Sequence, residues 1–295
     1  MAAIANTTTT AQISTTVREI DFISRFTSNI DALREILGIM NPVRKTLGSQ
    51  LVASKASVEL QSGAVAEGDE VPLSQATVTP VKFEDIALEK YRKAVTAEAV
   101  AKFGAAVAVQ KTDDAFINEL QGNILDRFYT FAMTGTLTGN ETSFQMAVAM
   151  AVAKVKDKFK KMHLNYSNIV VFVNTLDAGR YLGSANITVQ TTNGMEYVKD
   201  FMGVNTMVIS SEIPEGKVVA IPADNIVLYY IDPADADFRE LGLEYNTGAE
   251  ETALIGVHKE GNYGRVMGET HVLMGIKLFA EYIDAIAVMS FGAGE

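Results

Sequence analysis

The chain contains no cysteine and no tryptophan, and only three histidines and six prolines in 295 residues. Without cysteine there can be no disulfide, no thiolate metal site and no cysteine nucleophile. Stability must come from packing and association. Basic residues are in deficit too: 25 Lys and Arg against 36 Asp and Glu leave a formal charge of −11. That argues against tight, non-specific nucleic-acid binding, which needs a basic surface to displace phosphate counterions. It suits a soluble protein, or one that lies near DNA without sticking to it. No stretch reaches the ~20 apolar residues of a membrane helix. The N-terminus has no basic start and no apolar run, so it does not read as a signal peptide. The Asn-x-Ser/Thr patterns at Asn6, Asn140, Asn165 and Asn186 therefore carry little weight as glycosylation sites. Hydrophobic residues make up 48% of the chain, enough for a sizeable core.

Recognisable chemistry is also missing. His163, His258 and His271 fall in no His-x-x-x-His or His-Glu-x-x-His spacing. There is no phosphate-cradling glycine loop, no dinucleotide fingerprint and no Gly-x-Ser-x-Gly elbow. Asp232, Asp235 and Asp237 cluster as calcium ligands can, but lack the closing glutamate of a calcium loop and read as a solvated loop. Glu250-Glu251 and Asp113-Asp114 are neighbours in a loop and a cap, and paired carboxylates do acid–base work only when a cleft joins them. No catalytic residue, cofactor or metal site is assigned.

What is present centres on residues 46–139. Residues 46–85 read as a long exposed hairpin. Two arms rich in Val and Thr, carrying Lys55, flank a turn with glycines and the acids Glu67, Asp69 and Glu70. Its apolar residues are too small and few to hold a ribbon alone. It is expected to lie on a neighbouring copy of the chain. A short helix at 96–103 and a long amphipathic helix at 112–135 follow. The long helix carries Phe116, Leu120, Ile124 and Phe128 at four-residue steps, and Thr112 with Asp113 and Asp114 is expected to cap it. Before the hairpin, Thr16-Val-Arg-Glu19 is a capping box that predicts a helix start. Ile23, Phe26, Ile30 and Leu33 then form one narrow apolar stripe. The stripe fits either this chain's core or an arm packed on a neighbouring subunit, and these four residues join Lys55 and the loop acids as candidate inter-subunit contacts. Thr142-Ser-Phe-Gln145 predicts another helix, basic at its end with Lys154, Lys156, Lys158, Lys160 and Lys161. Those lysines suit a solvated helix end or, alternatively, an acidic partner such as the loop tip. From Ile169 onward the pattern is α/β, with strands expected at 169–173, 207–209, 217–221, 225–231, 253–258, 272–278 and 283–291.

The order of these elements resembles the tailed-bacteriophage major capsid protein, the Hong Kong 97 fold, over nearly the whole chain. Four stretches carry the resemblance. Glu67-Gly-Asp-Glu-Val-Pro-Leu-Ser74 is similar to the family's extended-loop passage, and Thr112 to Gly135 to its spine helix. Ile169–Asn174 and Gly203–Ser211 resemble strands of its axial domain. Gly264–Leu278 with Asp284–Phe291 resembles its closing strands. The resemblance implies an α+β chain with an N-terminal arm (1–45), an extended loop (46–85) and a peripheral domain with the spine helix (86–139). An axial α/β domain (140–232), peripheral return strands (233–280) and an axial closing strand (281–295) complete it. It further implies a structural, non-enzymatic subunit that forms pentamers and hexamers of an icosahedral head around double-stranded DNA. Its partners would be its own copies, a separate scaffolding protein and a portal, with weak contact to packaged DNA. It would assemble in the host cytoplasm and reside in the virion. Some relatives crosslink a loop lysine to a neighbour's asparagine. Lys55 occupies the corresponding arm, but no matching asparagine or catalytic glutamate is identified. An encapsulin-type nanocompartment shell housing an enzyme cargo is the alternative on the same fold.

Overall fold

The computed structural model describes residues 10–38, 42–166, 168–183, 189–192, 195–201, 203–248 and 253–292. Its helices are α1 (Thr10–Leu37), α2 (Ala97–Phe103), α3 (Thr112–Ala132), α4 (Phe144–Lys161), α5 (Thr175–Leu182) and α6 (Ala236–Glu240). The middle of the fold is α3. Ile117, Leu120, Ile124 and Phe128 recur at three- and four-residue steps and are buried along one face, as a helical stripe demands. The expected cap at Thr112 is absent. A wider, π-helical turn over Ala106–Lys111 runs straight into α3, and the Thr112 hydroxyl donates back to the Ala108 carbonyl at 2.8 Å. Asp113 is buried instead, paired to Lys93 at 2.5 Å.

Fifteen strands pair into four sheets among the described residues. The largest contains β5 (Leu137–Glu141), β6 (Ile169–Asn174), β7 (Gln190–Thr192), β8 (Met195–Phe201), β9 (Val204–Ser210), β10 (Lys217–Pro222) and β15 (Ala287–Phe291). Its order is β5-β15-β10-β6-β9-β8-β7. β6 is buried throughout, and its alternation shows why. Ile169, Val171 and Val173 join the core under α4, whereas Val170 and Phe172 join the core around α3. A second sheet joins β4 (Glu89–Thr96), β13 (Met267–Met274) and β12 (Ile255–Asn262). A third joins β1 (Val43–Lys45), β11 (Ile226–Ile231) and β14 (Ile276–Ala280). The fourth is the hairpin of β2 (Gln50–Glu59) and β3 (Gln75–Asp85).

Aromatic contacts from α3 reach all three larger sheets. Phe128 meets Phe172 of β6 edge to face at 5.6 Å, Phe131 stacks on Phe279 of β14 at 4.8 Å, and Phe116 meets Tyr91 of β4 at 6.3 Å. Such pairs add about 0.5–1.5 kcal/mol each beyond their buried area. α1 lies across the same assembly, with Phe22 against Phe116 and its residues against β12.

Several sequence expectations move. Thr16 lies inside α1, which runs from Thr10, so the capping box there does not start the helix. α1 ends at Gly38, whose φ of +74° few other residues adopt. α4 is capped by Ser143, not Thr142; the Ser143 hydroxyl accepts from the Met146 amide. The strand expected at 272–278 is two strands broken at Gly275, and β15 is shorter than 283–291. β11, expected within the axial segment 140–232, pairs with β14 and β1, outside the seven-stranded sheet.

Candidate assembly surfaces

The hairpin separates into an anchored base and a free end. Its strands pair in register from Val52 opposite Lys82 to Glu59 opposite Gln75, and neither strand pairs with any other described strand. Leu51 and Ile86 flank the base and are buried with Tyr229, Ile231, Phe238 and Phe279. Beyond Glu59 every residue to Thr77 is exposed. The end is nevertheless ordered by its own bonds. The Gln61 amide donates to the Ser74 hydroxyl at 3.1 Å, and the Asp69 amide to the Ala66 carbonyl at 3.1 Å, across a turn in which Gly68 has φ +93°. That turn presents Glu67, Asp69 and Glu70 to solvent beside Leu60, 81% exposed, and Leu73, 94% exposed. Large apolar side chains this exposed, on a ribbon without a core of its own, make the end a candidate interaction surface.

Lys55 lies on β2 opposite Thr79; its side chain falls outside the described residues. Ile23, Phe26, Ile30 and Leu33 do not line an exposed arm. They are at most 4% exposed and belong to the core shared with Leu120 and Ile124. These four residues are therefore this chain's own core, a correction to their expected contact with a neighbour. The stripe on α1 was spent on α3 and β12 because those elements cover it within one chain.

The basic end of α4 is largely engaged at home. Lys158 pairs with Asp284 at 2.8 Å, Lys161 with Asp157 at 2.6 Å, and the Lys154 ammonium donates to the Thr138 carbonyl. The acidic loop after β11 is likewise partnered: Arg44 reaches Asp232 at 3.2 Å and Asp235 at 3.3 Å, and Asp235 caps α6. Asp113 and Asp114 turn to different cations, Lys93 and Arg25. Glu250 and Glu251 lie outside the described residues.

A groove near the hairpin base is lined by apolar residues together with Asp85, Glu89, Arg127 and Lys277. It has a volume of about 910 Å³, and its apolar residues include Ile86, Ile124, Phe131, Leu278, Phe279 and Ile283. Nothing in the sequence signals it, because its walls come from three separated stretches, 85–89, 124–134 and 276–283.

No family model and no curated protein sequence matches the chain. Solved structures do. The chain is similar to a protein of Mycobacterium phage Ogopogo (12% identity, TM-score 0.54), over 87% of this chain and 92% of that one. It is similar to a subunit of the mature capsid of bacteriophage PhiM1 (8%, TM-score 0.52), over 86% of each chain. It is also similar to a capsid subunit of cyanophage A-1(L) (11%, TM-score 0.51), over 84% of this chain and 89% of that one. The chain has the capsid fold of the Hong Kong 97 type, in the α+β class expected from the order of its elements.

Proposed function

We propose that the chain is the structural subunit of an icosahedral phage head, assembling with its own copies into pentamers and hexamers around double-stranded DNA. The observation that carries this is the ribbon of β2 and β3, rooted in the core by Leu51 and Ile86 and exposing Leu60, Val71 and Leu73 at its free end. Burying three such side chains on a neighbour favours association by roughly 5 kcal/mol per contact. The groove beside Phe131 and Phe279 offers apolar surface of the kind the end lacks. A ribbon of ten residues spans about 33 Å, so the end cannot fold back into the groove at its own base. Contact of one surface with a different surface on the next copy generates rings where the rotation closes. The fold likeness to capsid subunits supports the reading, as does the acidic charge of −11, which keeps a wall from trapping the DNA inside it. A separate scaffolding protein and a portal are the further partners of this reading, and assembly proceeds in the host cytoplasm.

Electron microscopy and sedimentation of the purified protein, with scaffold supplied, test it. Deleting 62–71 removes only exposed loop, so the variant should keep its thermal midpoint as a subunit yet form no shells. Normal shells from the deletion would refute the interlocking ribbon. Reversing the charge of Glu67, Asp69 and Glu70 should weaken assembly, most at low salt, because exposed ion pairs are screened over ~10 Å at ordinary ionic strength. Equal assembly at every salt concentration would remove those acids from the contact. Nucleic-acid content separates the two shell readings: DNA-filled particles support the phage head, and shells holding an enzyme and no DNA establish the nanocompartment.

A further inference from the structure

Antiparallel pairing of β12 with β13 sets His258 opposite His271 and Glu260 opposite Glu269. Alternation along the strands puts all four on one face of the sheet. The other face carries Val257 and Lys259, whose ammonium lies over the Phe22 ring of α1. The His271 Nε2 sits 3.2 Å from Glu260 Oε1 and 3.4 Å from Glu269 Oε2. One ligand atom from each of the three residues lies within 4.8 Å of the others.

Two carboxylates thus converge on a single ring nitrogen. One Nε2–H can point well at only one of them, and Glu269 already accepts from Arg92 and Asn262. The Glu269 side chain is 2% exposed and is held in place by the Arg92 guanidinium at 2.6 Å and the Asn262 amide at 3.0 Å. A tetrahedral zinc ion with bonds of about 2.0–2.1 Å sets its ligand atoms about 3.3–3.4 Å apart, which matches both nitrogen–oxygen separations. Glu260 is the mobile member, with a side chain 55% exposed and able to close the remaining edge. Imidazole with carboxylates is a donor set suited to a first-row divalent cation. Asn262 holds the other oxygen, Oε1, as an outer partner of a ligating carboxylate does, while Arg92 shares Oε2.

We propose that Glu260, Glu269 and His271 bind one divalent transition-metal ion, zinc by preference, with solvent as the fourth ligand. The ion ties β12 to β13 beside the turn that joins them. This holds whether or not the chain builds a shell.

The test uses the full-length protein, loaded with zinc near neutral pH, dialysed, and assayed for bound metal. About one zinc should remain per chain, and cobalt in its place should give the strong visible absorption of four-coordinate sites. Glu260→Gln and His271→Ala should each weaken zinc binding at least about ten-fold, with unchanged circular dichroism. His163→Ala should bind as the parent does. Because Glu260 is exposed, its variant keeps the test valid even if His271→Ala folds poorly. Absence of retained zinc, retention undiminished in Glu260→Gln, or equal binding of magnesium would each overturn the proposal.

Discussion

Tyr129 lies on the face of α3 turned toward the large sheet, edge to face with Phe172 at 5.6 Å. Burial pushes its hydroxyl up to about 12, and burial with the nearby Glu281 carboxylate does the same for Tyr229. Both groups bind their protons more tightly folded than unfolded. The stability they confer is complete below pH 10 and is lost as pH rises from about 10 toward about 12. For Tyr129 the loss is on the order of 2–3 kcal/mol. Urea midpoints should fall steeply over that interval, and Tyr129→Phe should flatten part of the fall. A variant with the parent's alkaline slope would show that Tyr129 ionises freely. At this scale the sequence was readable where one residue's role is set by its immediate neighbours, as with the Ser143 cap one position from the expected Thr142. It was silent where roles arise across strands. His258-Lys-Glu260 and Glu269-Thr-His271 are two-residue spacings, and only the turn between β12 and β13 lays one over the other. A search for helical histidine spacing passes them by.

Among the elements, α3 and the hairpin were legible because each carries a strong local signal: a sustained apolar stripe in one, its absence in the other. α1 was legible as a helix but not in its use, since a stripe says that something covers it and not which chain does. β5 and β8 were missed. β8 mixes Glu196, Lys199 and Asp200 with its buried Met195, Tyr197 and Val198, and β5 is held by pairing with β15 more than by its own composition. The entry to β5 rests on Gly135, where a Cβ would come within 2.7 Å of the Ile286 carbonyl oxygen. Gly135→Ala should therefore cost about 1–3 kcal/mol and lower the thermal midpoint. Gly122 in α3 faces no atom within 4 Å, so Gly122→Ala should instead raise stability by about 0.5–1 kcal/mol. Equal melting of the two variants would contradict the close approach at Gly135.

At the scale of the whole molecule, the order along the chain and the order in space diverge most in the seven-stranded sheet. β15 lies between β5 and β10, although it is drawn from residues 287–291 and they from 137–141 and 217–222. β5 has no other strand to pair with among those described. A ribosome making the chain at roughly 5–20 residues per second has finished the hairpin long before β15 emerges. Until then β5 is unpaired and the floor beneath α4 is incomplete. A chain stopped after Ile286 should lack a cooperative thermal transition in calorimetry; a sharp, parent-like transition would show the sheet closes without β15. The exposed end is thus made first and the large sheet completed last, so under the proposed function translation itself delays the moment at which a finished subunit meets another.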